Sequence, residues 1–284
     1  MLSFSVIIPV FNKEGTLPTT LRSVTQQHYP HFEVIVVDDG STDGSVSAAR
    51  SVRDDRIQIH VKPNGGPGSA RNFGVVKARY EWIVFLDADD LLLPETLFLF
   101  EQTIRKHPEA EMIVCNFLLD EGGKKRIYHH NTLPSVVGNN FKAWFYRELM
   151  PCAGTYACRK TRLERHPYNE SLRRSEDTEL LFNLFRETCI VRIDDPVMCY
   201  RRDYSSESLK KGRLCQDFQG HLVFGMEKSL WEKICLYELY IEALNNYPSE
   251  AEQAYPEMKR RILLKIAYLV AFWHRAWTRK RKGT

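Results

Sequence analysis

Long apolar runs are missing from this chain of 284 residues. No stretch reaches the roughly 20 apolar residues that a membrane-spanning helix requires. The short apolar run at the N-terminus follows no basic segment and ends at Pro9, so it predicts a first β-strand rather than a secretory signal peptide. We therefore expect a cytoplasmic protein, with the inner face of the membrane as the alternative location.

Cysteine pairs at metal-binding spacing are also absent. The seven cysteines are odd in number and form no Cys-x-x-Cys pair, which argues against a zinc site and against a disulfide framework. The formal net charge of +4 is too small for a protein that binds nucleic acid through its overall charge. The charge is unevenly distributed, because nine Lys or Arg and no Asp or Glu lie between Lys259 and the C-terminus.

The sequence does contain an alternation of strand-like apolar runs and helical patterns. The predicted strands cover residues 4–9, 33–37, 57–61, 82–86 and 112–118, with predicted helices between them. Such alternation produces parallel strands joined by right-handed crossovers. We therefore expect an α/β fold with a Rossmann-like, mostly parallel sheet flanked by helices.

The pattern is weaker after residue 120. In chain order it predicts a hairpin or loop at Gly122 and Gly123, helices at 141–149 and 177–187, and short strands at 191–193 and 197–200. Residues 216–280 are predicted to be almost wholly helical, with breaks before Pro248 and Pro256.

Carboxylates follow two of the predicted strands. Asp38 and Asp39 end the second strand, and Asp87, Asp89 and Asp90 end the fourth. The carboxyl ends of parallel strands meet at one edge of the sheet, where open α/β proteins bind ligands. Acids this close repel one another unless a cation or hydrogen-bond donors compensate, and Mg²⁺ takes a few carboxylates together with phosphate oxygens. The pattern predicts a divalent cation that holds a nucleotide diphosphate, although turn and helix-cap chemistry alone would also explain these acids.

A glycine-rich loop runs from Asn64 to Asn72 and leads into a predicted helix. Backbone N–H groups at the start of that helix could face a phosphate, and Arg71 could add a charged contact. A tight turn followed by a surface arginine is the alternative interpretation. No Walker lysine follows the loop, and the first strand is not followed by Gly-x-Gly-x-x-Gly, so the pattern disfavours a P-loop protein and a Rossmann dehydrogenase.

Ser175, Glu176 and Asp177 begin an amphipathic helix in the second half of the chain. A serine cap and acids in the first turn complement the helix dipole. The same position keeps a carboxylate ionised, as a general base must be. Composition alone does not choose between these two interpretations.

Taken together, these blocks resemble the family 2 glycosyltransferases, which have the A-type nucleotide-diphospho-sugar transferase fold. The resemblance covers residues 4–120 and, less closely, residues 150–210. It implies an inverting transfer of a sugar from a nucleotide-diphospho-sugar, most often a UDP-sugar, to a hydroxyl of a saccharide or lipid-linked saccharide. It also implies Mn²⁺ or Mg²⁺ as the cofactor and a place in cell-surface polysaccharide synthesis.

The resemblance assigns roles to individual residues. Asp177 is expected to be the catalytic base, and Glu176 to help hold the acceptor. Asp89 is expected to bind the metal directly, with Asp87 beside it, while Asp39 contacts the base of the nucleotide. The implied donor-binding set comprises Pro9, Val10, Phe11, Asn12, Glu14, Asp38, Asp39, Asn64, Gly65, Arg71, Asp87 and Ala88.

The chain departs from the family pattern after the last core strand. Relatives often carry a His there that can join the metal, and Asp203 stands in its place. An oxygen ligand suits Mg²⁺ or Mn²⁺, so Asp203 could substitute for the His, or it could be an exposed loop acid. Arg201 and Arg202 are expected to contact the diphosphate.

The predicted organisation has three parts. Residues 1–120 form the nucleotide-sugar-binding half, residues 121–212 the acceptor-binding half, and residues 213–284 a helical extension with a basic tail. Within the extension, residues 258–277 predict an apolar helix with basic flanks, which could lie on an anionic membrane surface or pack on the core or a second subunit. The alternative functions are a nucleotidylyltransferase and a non-catalytic scaffold subunit that binds a sugar nucleotide.

Overall fold

The computed structural model of the chain describes residues 2–128, 135–201 and 213–282. The chain divides into two compact units. The first comprises residues 1–138 and 150–209, and the second comprises residues 139–149 and 210–284. The short segment 139–149 therefore belongs with the C-terminal helices and not with the sheet.

The first unit is built on a ten-stranded sheet. Its strands are β1 (Phe4–Val10), β2 (Phe32–Asp38), β3 (Ile57–Val61), β4 (Trp82–Phe85), β5 (Leu91–Leu92), β6 (Met112–Glu121), β7 (Lys124–Ile127), β8 (Ser135–Val136), β9 (Tyr156–Arg159) and β10 (Ile190–Arg201). They lie in the order β3-β2-β1-β4-β9-β6-β10-β5, with β7 paired to β6 and β8 paired to β10.

The α-helices follow the strands along the chain. They are α1 (Leu17–Thr25), α2 (Ser45–Ser51), α3 (Pro67–Lys77), α4 (Thr96–Lys106), α5 (Asn140–Phe145), α6 (Lys160–Arg165), α7 (Glu176–Glu187), α8 (Leu230–Asn246), α9 (Pro248–Ala254) and α10 (Ile262–Lys282). Of these, α5, α8, α9 and α10 belong to the second unit.

The first four strands confirm the parallel pairing that the sequence predicts. Strand β1 lies parallel to β2 and β4, and β2 lies parallel to β3. Nearly every residue of β1, β2 and β4 is buried, and a strand covered on both faces favours a continuous apolar run. The predicted bounds of these four strands agree with the structure to within one residue at each end.

The order of the sheet changes after β4. Strand β9 lies between β4 and β6 and is antiparallel to both, while β6 and β10 are parallel. The prediction of two short strands at 191–193 and 197–200 is wrong, because β10 is one strand from Ile190 to Arg201. Its register shifts at Pro196, which has no N–H to donate to the ladder. The hairpin predicted at Gly122 and Gly123 is confirmed by the antiparallel pair β6 and β7.

The residues that precede α1 and α7 do not cap these helices through their side chains, and for Ser175 this is contrary to the capping interpretation. Thr16 precedes α1, but its hydroxyl donates a hydrogen bond to the carbonyl oxygen of Ala88 at 2.9 Å. Ser175 precedes α7 with a left-handed backbone, φ 54°, and makes no capping hydrogen bond with its side chain. The strained position of Ser175 is the point where the chain turns into the helix that carries Glu176 and Asp177.

The second unit is helical, and its chain breaks confirm the predictions at the two prolines. Helix α9 begins at Pro248, and a 3₁₀ segment, Pro256–Arg260, separates it from α10. The helix predicted at 258–277 therefore begins later, at Ile262, and extends to Lys282. The expectation of nearly continuous helix from residue 216 is wrong before α8, where residues 221–229 are irregular. Among the described helices, none combines the length and apolarity needed to cross a membrane.

Helices α8 and α10 pack through aromatic and charged side chains. The rings of Tyr237 and Tyr268 lie 5.2 Å apart, and Arg275 forms a buried ion pair with Glu238 at 2.9 Å. A second nitrogen of the Arg275 guanidinium donates to the carbonyl oxygen of Phe145 in α5 at 2.7 Å. A buried arginine thus has partners on both neighbouring helices, as a buried charge requires.

Candidate functional site

Arg71 lies at the centre of a cluster of carboxylates in the first unit. It is carried by α3 and is buried, with 4% of its surface exposed. Its guanidinium forms ion pairs with Asp87 at 3.0 Å, Glu176 at 3.0 Å and Asp177 at 3.4 Å. The interpretation of Arg71 as a surface arginine is therefore wrong. The same guanidinium connects an acid that follows β4 with two acids at the start of α7.

Two carboxylates of this cluster have raised pKa values. Burial is the largest cause that raises the pKa of Asp87, and the nearby carboxylates of Asp177 and Asp89 add to it, whereas Arg71 opposes the rise. Burial also raises the pKa of Glu176, with Asp177 adding and Arg71 again opposing. Arg71 is therefore the cation that permits several acids to stay close together.

Tyr168 orients Asp177 and was not found by sequence reasoning. The Tyr168 hydroxyl donates a hydrogen bond to Oδ1 of Asp177 at 2.9 Å. The ring of Tyr168 is buried, meets the ring of Phe85 edge to face at 5.5 Å, and lies 5.2 Å below the guanidinium of Arg71. It lies in the loop between α6 and α7, where no local pattern signals such a contact.

The acids after β4 have protein cations and donors of their own. The ammonium group of Lys13 lies 2.5 Å from Oδ2 of Asp89. Asp90 is buried and accepts a hydrogen bond from the backbone N–H of Arg201 at 3.0 Å. Burial, followed by repulsion from Asp87, raises the pKa of Asp90 to about 8. Lys13 is a second residue of this site that the sequence did not identify.

The residues present only partly provide a metal site. Across residues 2–128, 135–201 and 213–282, no group of three or more His, Cys, Asp or Glu is placed to hold a metal ion. Lys13 and Arg71 already compensate Asp89 and Asp87, so repulsion between the acids does not by itself require a divalent cation. Their oxygens suit Mg²⁺ or Mn²⁺ if phosphate oxygens and water supply the remaining ligands. Asp203 and Arg202 lie outside the described residues.

Asp39 binds the glycine-rich loop. Its buried carboxylate accepts hydrogen bonds from the backbone N–H groups of Gly65 at 2.9 Å and Gly66 at 2.7 Å, and from the Lys62 ammonium at 2.7 Å. These two loop N–H groups are therefore bound by Asp39, while contact of a phosphate with the N–H groups at the start of α3 stays a prediction. The side chain of Asn64 donates to the carbonyl oxygen of Asp39 at 2.9 Å, which holds the loop from a second point.

Gly66 is placed where a side chain would not fit. Its φ is +91°, a conformation that residues with a Cβ rarely adopt, and a Cβ built there would lie 2.2 Å from Nη1 of Arg173. The guanidinium of Arg173 thus lies directly against the loop that Asp39 holds. Arg173 is another charged residue at this edge that the sequence did not identify.

Asp38 has an open acceptor beside this loop. One of its oxygens accepts the backbone N–H of Ser41 at 3.0 Å, and the other, Oδ2, is buried with no hydrogen-bond partner among the described residues. A buried acceptor without a partner costs free energy. Oδ2 of Asp38 is therefore a place where a ligand's N–H or O–H group would be stabilised.

The residues after β1 contact the loop after β2. Asn12 has a left-handed backbone, φ 53°, and its side-chain oxygen accepts the N–H of Thr42 at 2.8 Å. Glu14 accepts the N–H of Gly44 at 2.7 Å. Pro9 and Val10 end β1, and Phe11, which follows them, is 40% exposed. These predicted donor-binding residues are thus placed at the same sheet edge as Asp38 and Asp39.

Some predicted site residues contact one another directly, and others are only brought to the same edge of the sheet by strand pairing. Arg71, Asp87, Glu176 and Asp177 form one contact cluster, while Asp39, Asn64 and Gly65 form another. Ala88 contributes its carbonyl oxygen, which accepts hydrogen bonds from the hydroxyls of two threonines of the α1 region. The acids that follow β2 and β4 lie at neighbouring positions, since β1 pairs with both strands.

Comparison with known proteins defines the class. The mixed α/β sheet with acids at its carboxyl edge is that of a glycosyltransferase. More particularly, a family model described as glycosyl transferase family 2 matches residues 5–169, and the chain belongs to that family.

Relatives and solved structures agree with this assignment. An uncharacterized glycosyltransferase of Rickettsia conorii is 29% identical over 212 residues, which are 73% of this chain and 35% of that protein. Poly(ribitol-phosphate) beta-N-acetylglucosaminyltransferase TarS of Staphylococcus aureus is 38% identical over 142 residues, which are 48% of this chain and 25% of TarS. The matches thus span about a third or less of these two relatives.

The fold is that of TarS. The crystal structure of S. aureus TarS 1-349 in complex with UDP-GlcNAc aligns with a TM-score of 0.70 at 21% sequence identity, covering 95% of this chain and 79% of that chain. The likeness includes the helices after the sheet, since it extends over nearly the whole chain.

Proposed function

We propose that this glycosyltransferase is inverting and metal-dependent, and that it moves a sugar from a UDP-sugar to a hydroxyl of a saccharide or lipid-linked saccharide in cell-surface polysaccharide synthesis. One observation carries the proposal: the guanidinium of Arg71 links Asp177 to Asp87. A candidate base and a candidate donor-binding acid are thereby held in one rigid cluster. The resemblance to TarS, whose structure holds UDP-GlcNAc, supports a UDP-linked donor.

Asp177 is the candidate general base. Its side chain is 41% exposed, so an acceptor can approach it, while Tyr168 and Arg71 fix its position. In the proposed step Asp177 takes the proton of the acceptor hydroxyl, whose oxygen attacks the anomeric carbon as the nucleoside diphosphate leaves from the opposite face. One displacement of this kind inverts the anomeric configuration.

Glu176 has a different proposed task. Its carboxylate is buried and accepts a hydrogen bond from Arg71 at 3.0 Å. This contact supports a role in placing Arg71, and thereby Asp177, while contact with the acceptor stays a prediction. Correct placement of reacting groups contributes much of the rate in reactions of this type.

The donor-binding part rests on the sheet edge. We propose that the open Oδ2 of Asp38 accepts a hydrogen bond from the nucleoside, and that Arg173 and Arg201 lie near its diphosphate. Asp89 and Asp87 would hold Mn²⁺ or Mg²⁺, which supplies charge neutralisation for the leaving diphosphate when it is bound.

Replacement of Asp177 tests the catalytic part. Asp177→Asn keeps the shape of the side chain and its hydrogen bond from Tyr168, but an amide cannot take a proton. We expect sugar transfer to be lost while UDP-sugars still raise the melting temperature, because binding to the folded state stabilises it. Asp55→Asn, at an exposed acid outside the site, is the matched control and should keep transfer.

A donor screen tests the rest of the proposal. UDP-, GDP- and dTDP-sugars are compared by thermal stabilisation and by release of the nucleoside diphosphate, and the anomeric configuration of the product is read by NMR. Stabilisation by GDP- or dTDP-sugars alone would refute the UDP-linked donor, and a retained configuration would refute inversion. Transfer by Asp177→Asn at the wild-type rate would show that another residue is the base.

The metal part has its own experiment. We expect a chelator to abolish transfer, Mn²⁺ or Mg²⁺ to restore it, and Asp89→Asn to weaken Mn²⁺ binding measured by electron paramagnetic resonance in the presence of UDP. Lys13→Met removes the ammonium that competes for Asp89, so it should strengthen Mn²⁺ binding instead. Full activity in the presence of chelator would contradict metal dependence.

A further inference from the structure

One face of helix α10, which we call the inner face, packs against other residues of the second unit. Ala271 and Arg275 are buried, and the ring of Tyr268 contacts Tyr237 of α8 at 5.2 Å. These positions are three or four residues apart and therefore lie on one side of the helix. This inner face accounts for the packing of α10 in the second unit.

The opposite face of α10 carries a row of exposed apolar side chains. Leu263, Ile266, Val270 and Trp273 are 83%, 50%, 65% and 70% exposed. Their spacing of three, four and three residues places them on one face, which we call the outer stripe. The outer stripe is about 15 Å long at 1.5 Å per residue. Leu269 and Phe272, which are 41% and 39% exposed, lie at its margin.

An apolar outer stripe is unusual on a helix that already has a packed inner face. The side of a surface helix that faces away from the core is normally polar, and contiguous exposed apolar surface marks a binding site. Trp273 is notable, since a large aromatic ring that is 70% exposed gains most from leaving water. The outer stripe therefore has the composition of a binding surface, one that a membrane or another protein chain covers.

The positive charge around α10 indicates which binding partner the outer stripe fits. Nine basic and no acidic residues lie between Lys259 and the C-terminus, and all of the basic ones except Arg275, which is buried in an ion pair with Glu238, contribute to the net charge of this region. One of them, Lys265, is exposed within the span of the outer stripe. Apolar residues with tryptophan on one face of a helix, together with lysine and arginine, are typical of helices that lie in the interface of an anionic bilayer. A second copy of α10 would instead place positive charge against positive charge.

We propose that the outer stripe of α10 binds the surface of an anionic phospholipid bilayer, with the helix parallel to the membrane plane. Leu263, Ile266, Val270 and Trp273 enter the boundary between headgroups and acyl chains, and the exposed Lys265 and the basic residues at positions 279–282 contact lipid phosphates. The inference goes beyond the proposed transfer reaction and does not depend on it, because no residue of the outer stripe belongs to the candidate site.

Vesicle sedimentation tests the proposal with the full chain. Phosphatidylglycerol–phosphatidylcholine vesicles are compared with vesicles of phosphatidylcholine alone. We expect binding to the anionic vesicles, at least about tenfold weaker binding to the neutral ones, and weakening of the former by high salt. Replacement of all four residues of the outer stripe by Ser should abolish binding, and the tryptophan fluorescence of the wild type should shift to the blue with anionic vesicles.

Two control variants distinguish binding through α10 from nonspecific adsorption of exposed apolar residues to vesicles. Val76, Val223 and Met226 are exposed apolar residues outside α10, and their combined replacement by Ser should leave binding unchanged. Replacement of Arg279, Lys280, Arg281 and Lys282 by Gln should weaken binding to anionic vesicles at least about tenfold while leaving the fold intact by circular dichroism.

Three results would overturn the proposal. The first is absence of vesicle binding by the wild type, and the second is equal binding by the outer-stripe variant and the wild type. The third is a wild-type dimer in analytical ultracentrifugation that the outer-stripe variant converts to a monomer without any vesicle binding. That last result would assign the stripe to a second copy of the chain. Each readout is independent of sugar transfer, so failure here leaves the proposed activity untouched.

Discussion

Tyr168 holds Asp177 by a hydrogen bond of 2.9 Å from its hydroxyl to Oδ1. The tyrosine is itself packed against the sheet, because its buried ring meets Phe85, the last residue of β4, edge to face. A residue of the central sheet thereby determines where the carboxylate at the start of α7 points. The contact is a positioning contact, since Tyr168 reaches the proposed base and not the reacting atoms.

Tyr168→Phe removes this hydrogen bond and keeps the ring. A hydrogen bond to a charged group contributes about 1.5 to 3 kcal/mol, so we expect kcat to fall roughly 10- to 100-fold with little change in KM for the donor. Tyr29→Phe also removes a buried hydroxyl, one that donates to the carbonyl oxygen of Leu2, and should lower stability without lowering kcat. Steady-state kinetics of both variants make the comparison, and equal kcat values for Tyr168→Phe and the wild type would rule out the positioning role.

Arg71→Met tests the cluster as a structural unit. Removing the guanidinium leaves Glu176 buried without a cation, and breaking a buried ion pair costs about 3 to 5 kcal/mol. The double variant Arg71→Met with Glu176→Gln also removes the uncompensated negative charge of Glu176, so it should regain part of the lost free energy of unfolding. Arg53→Met, at an exposed position of the first unit, should change it little. Urea unfolding gives the values, and a double variant no more stable than Arg71→Met would contradict this account of the cluster.

Buried parallel strands were the part of the fold that the sequence revealed best. Every side chain of β2 is buried, so the strand has no exposed polar position that would break its apolar run. Asp38 marks its carboxyl end. The position of β9 between β4 and β6 could not be predicted in this way. Pairing between strands separated by more than 30 residues depends on the whole sheet and leaves no local periodicity.

The candidate site was predictable where motifs carry it and hidden where only tertiary contacts do. Asp87 and Asp177 stand in short acidic blocks, and a resemblance to a family could single them out. Arg71 stands in the glycine-rich block, but its contact with Glu176 joins residues 105 positions apart. Lys13 stands between the predicted residues Asn12 and Glu14 but was assigned no role, and Tyr168 belongs to no motif, because a single lysine or tyrosine in a loop is compatible with many environments.

Glu33, which lies outside the candidate site, should make the stability of the fold depend on pH. Burial alone would raise the pKa of Glu33, but hydrogen bonds from the Arg79 amide, the Ser5 hydroxyl and the Arg79 guanidinium outweigh it and lower the pKa below its ordinary value. A carboxyl with a lowered pKa stabilises the fold above its unfolded-state value of 4.5 and loses that contribution as the pH falls through the folded-state value.

Glu33→Gln should therefore destabilise the protein at neutral pH and less so in acid. Its amide cannot accept all four hydrogen bonds that reach the carboxylate, so we expect a loss of about 1 to 3 kcal/mol in the free energy of unfolding. The difference from the wild type should narrow as the pH falls below 4.5. Chemical denaturation over this range measures it, and a difference independent of pH would show that charge plays no part.

Gly74 sets the distance between α3 and the sheet. A Cβ at this position would lie 2.3 Å from Cγ2 of Ile7, which is fully buried in β1, so neither partner has room to move. Overpacking of this kind costs about 1 to 3 kcal/mol, while alanine regains about 1 kcal/mol of helix propensity. We therefore expect Gly74→Ala to lower the free energy of unfolding by up to about 2 kcal/mol.

The same substitution should reach the candidate site, because Gly74 lies one helical turn after Arg71. If α3 is displaced from β1, the guanidinium moves relative to Asp87 and Asp177, and misplaced groups lose rate. Transfer by Gly74→Ala should therefore fall more steeply than its stability at 25 °C would explain. Gly138→Ala is the matched control, since nothing lies within 4 Å of a Cβ built there. If Gly74→Ala unfolds and transfers sugar as Gly138→Ala does, the close contact between α3 and β1 does not govern the position of Arg71.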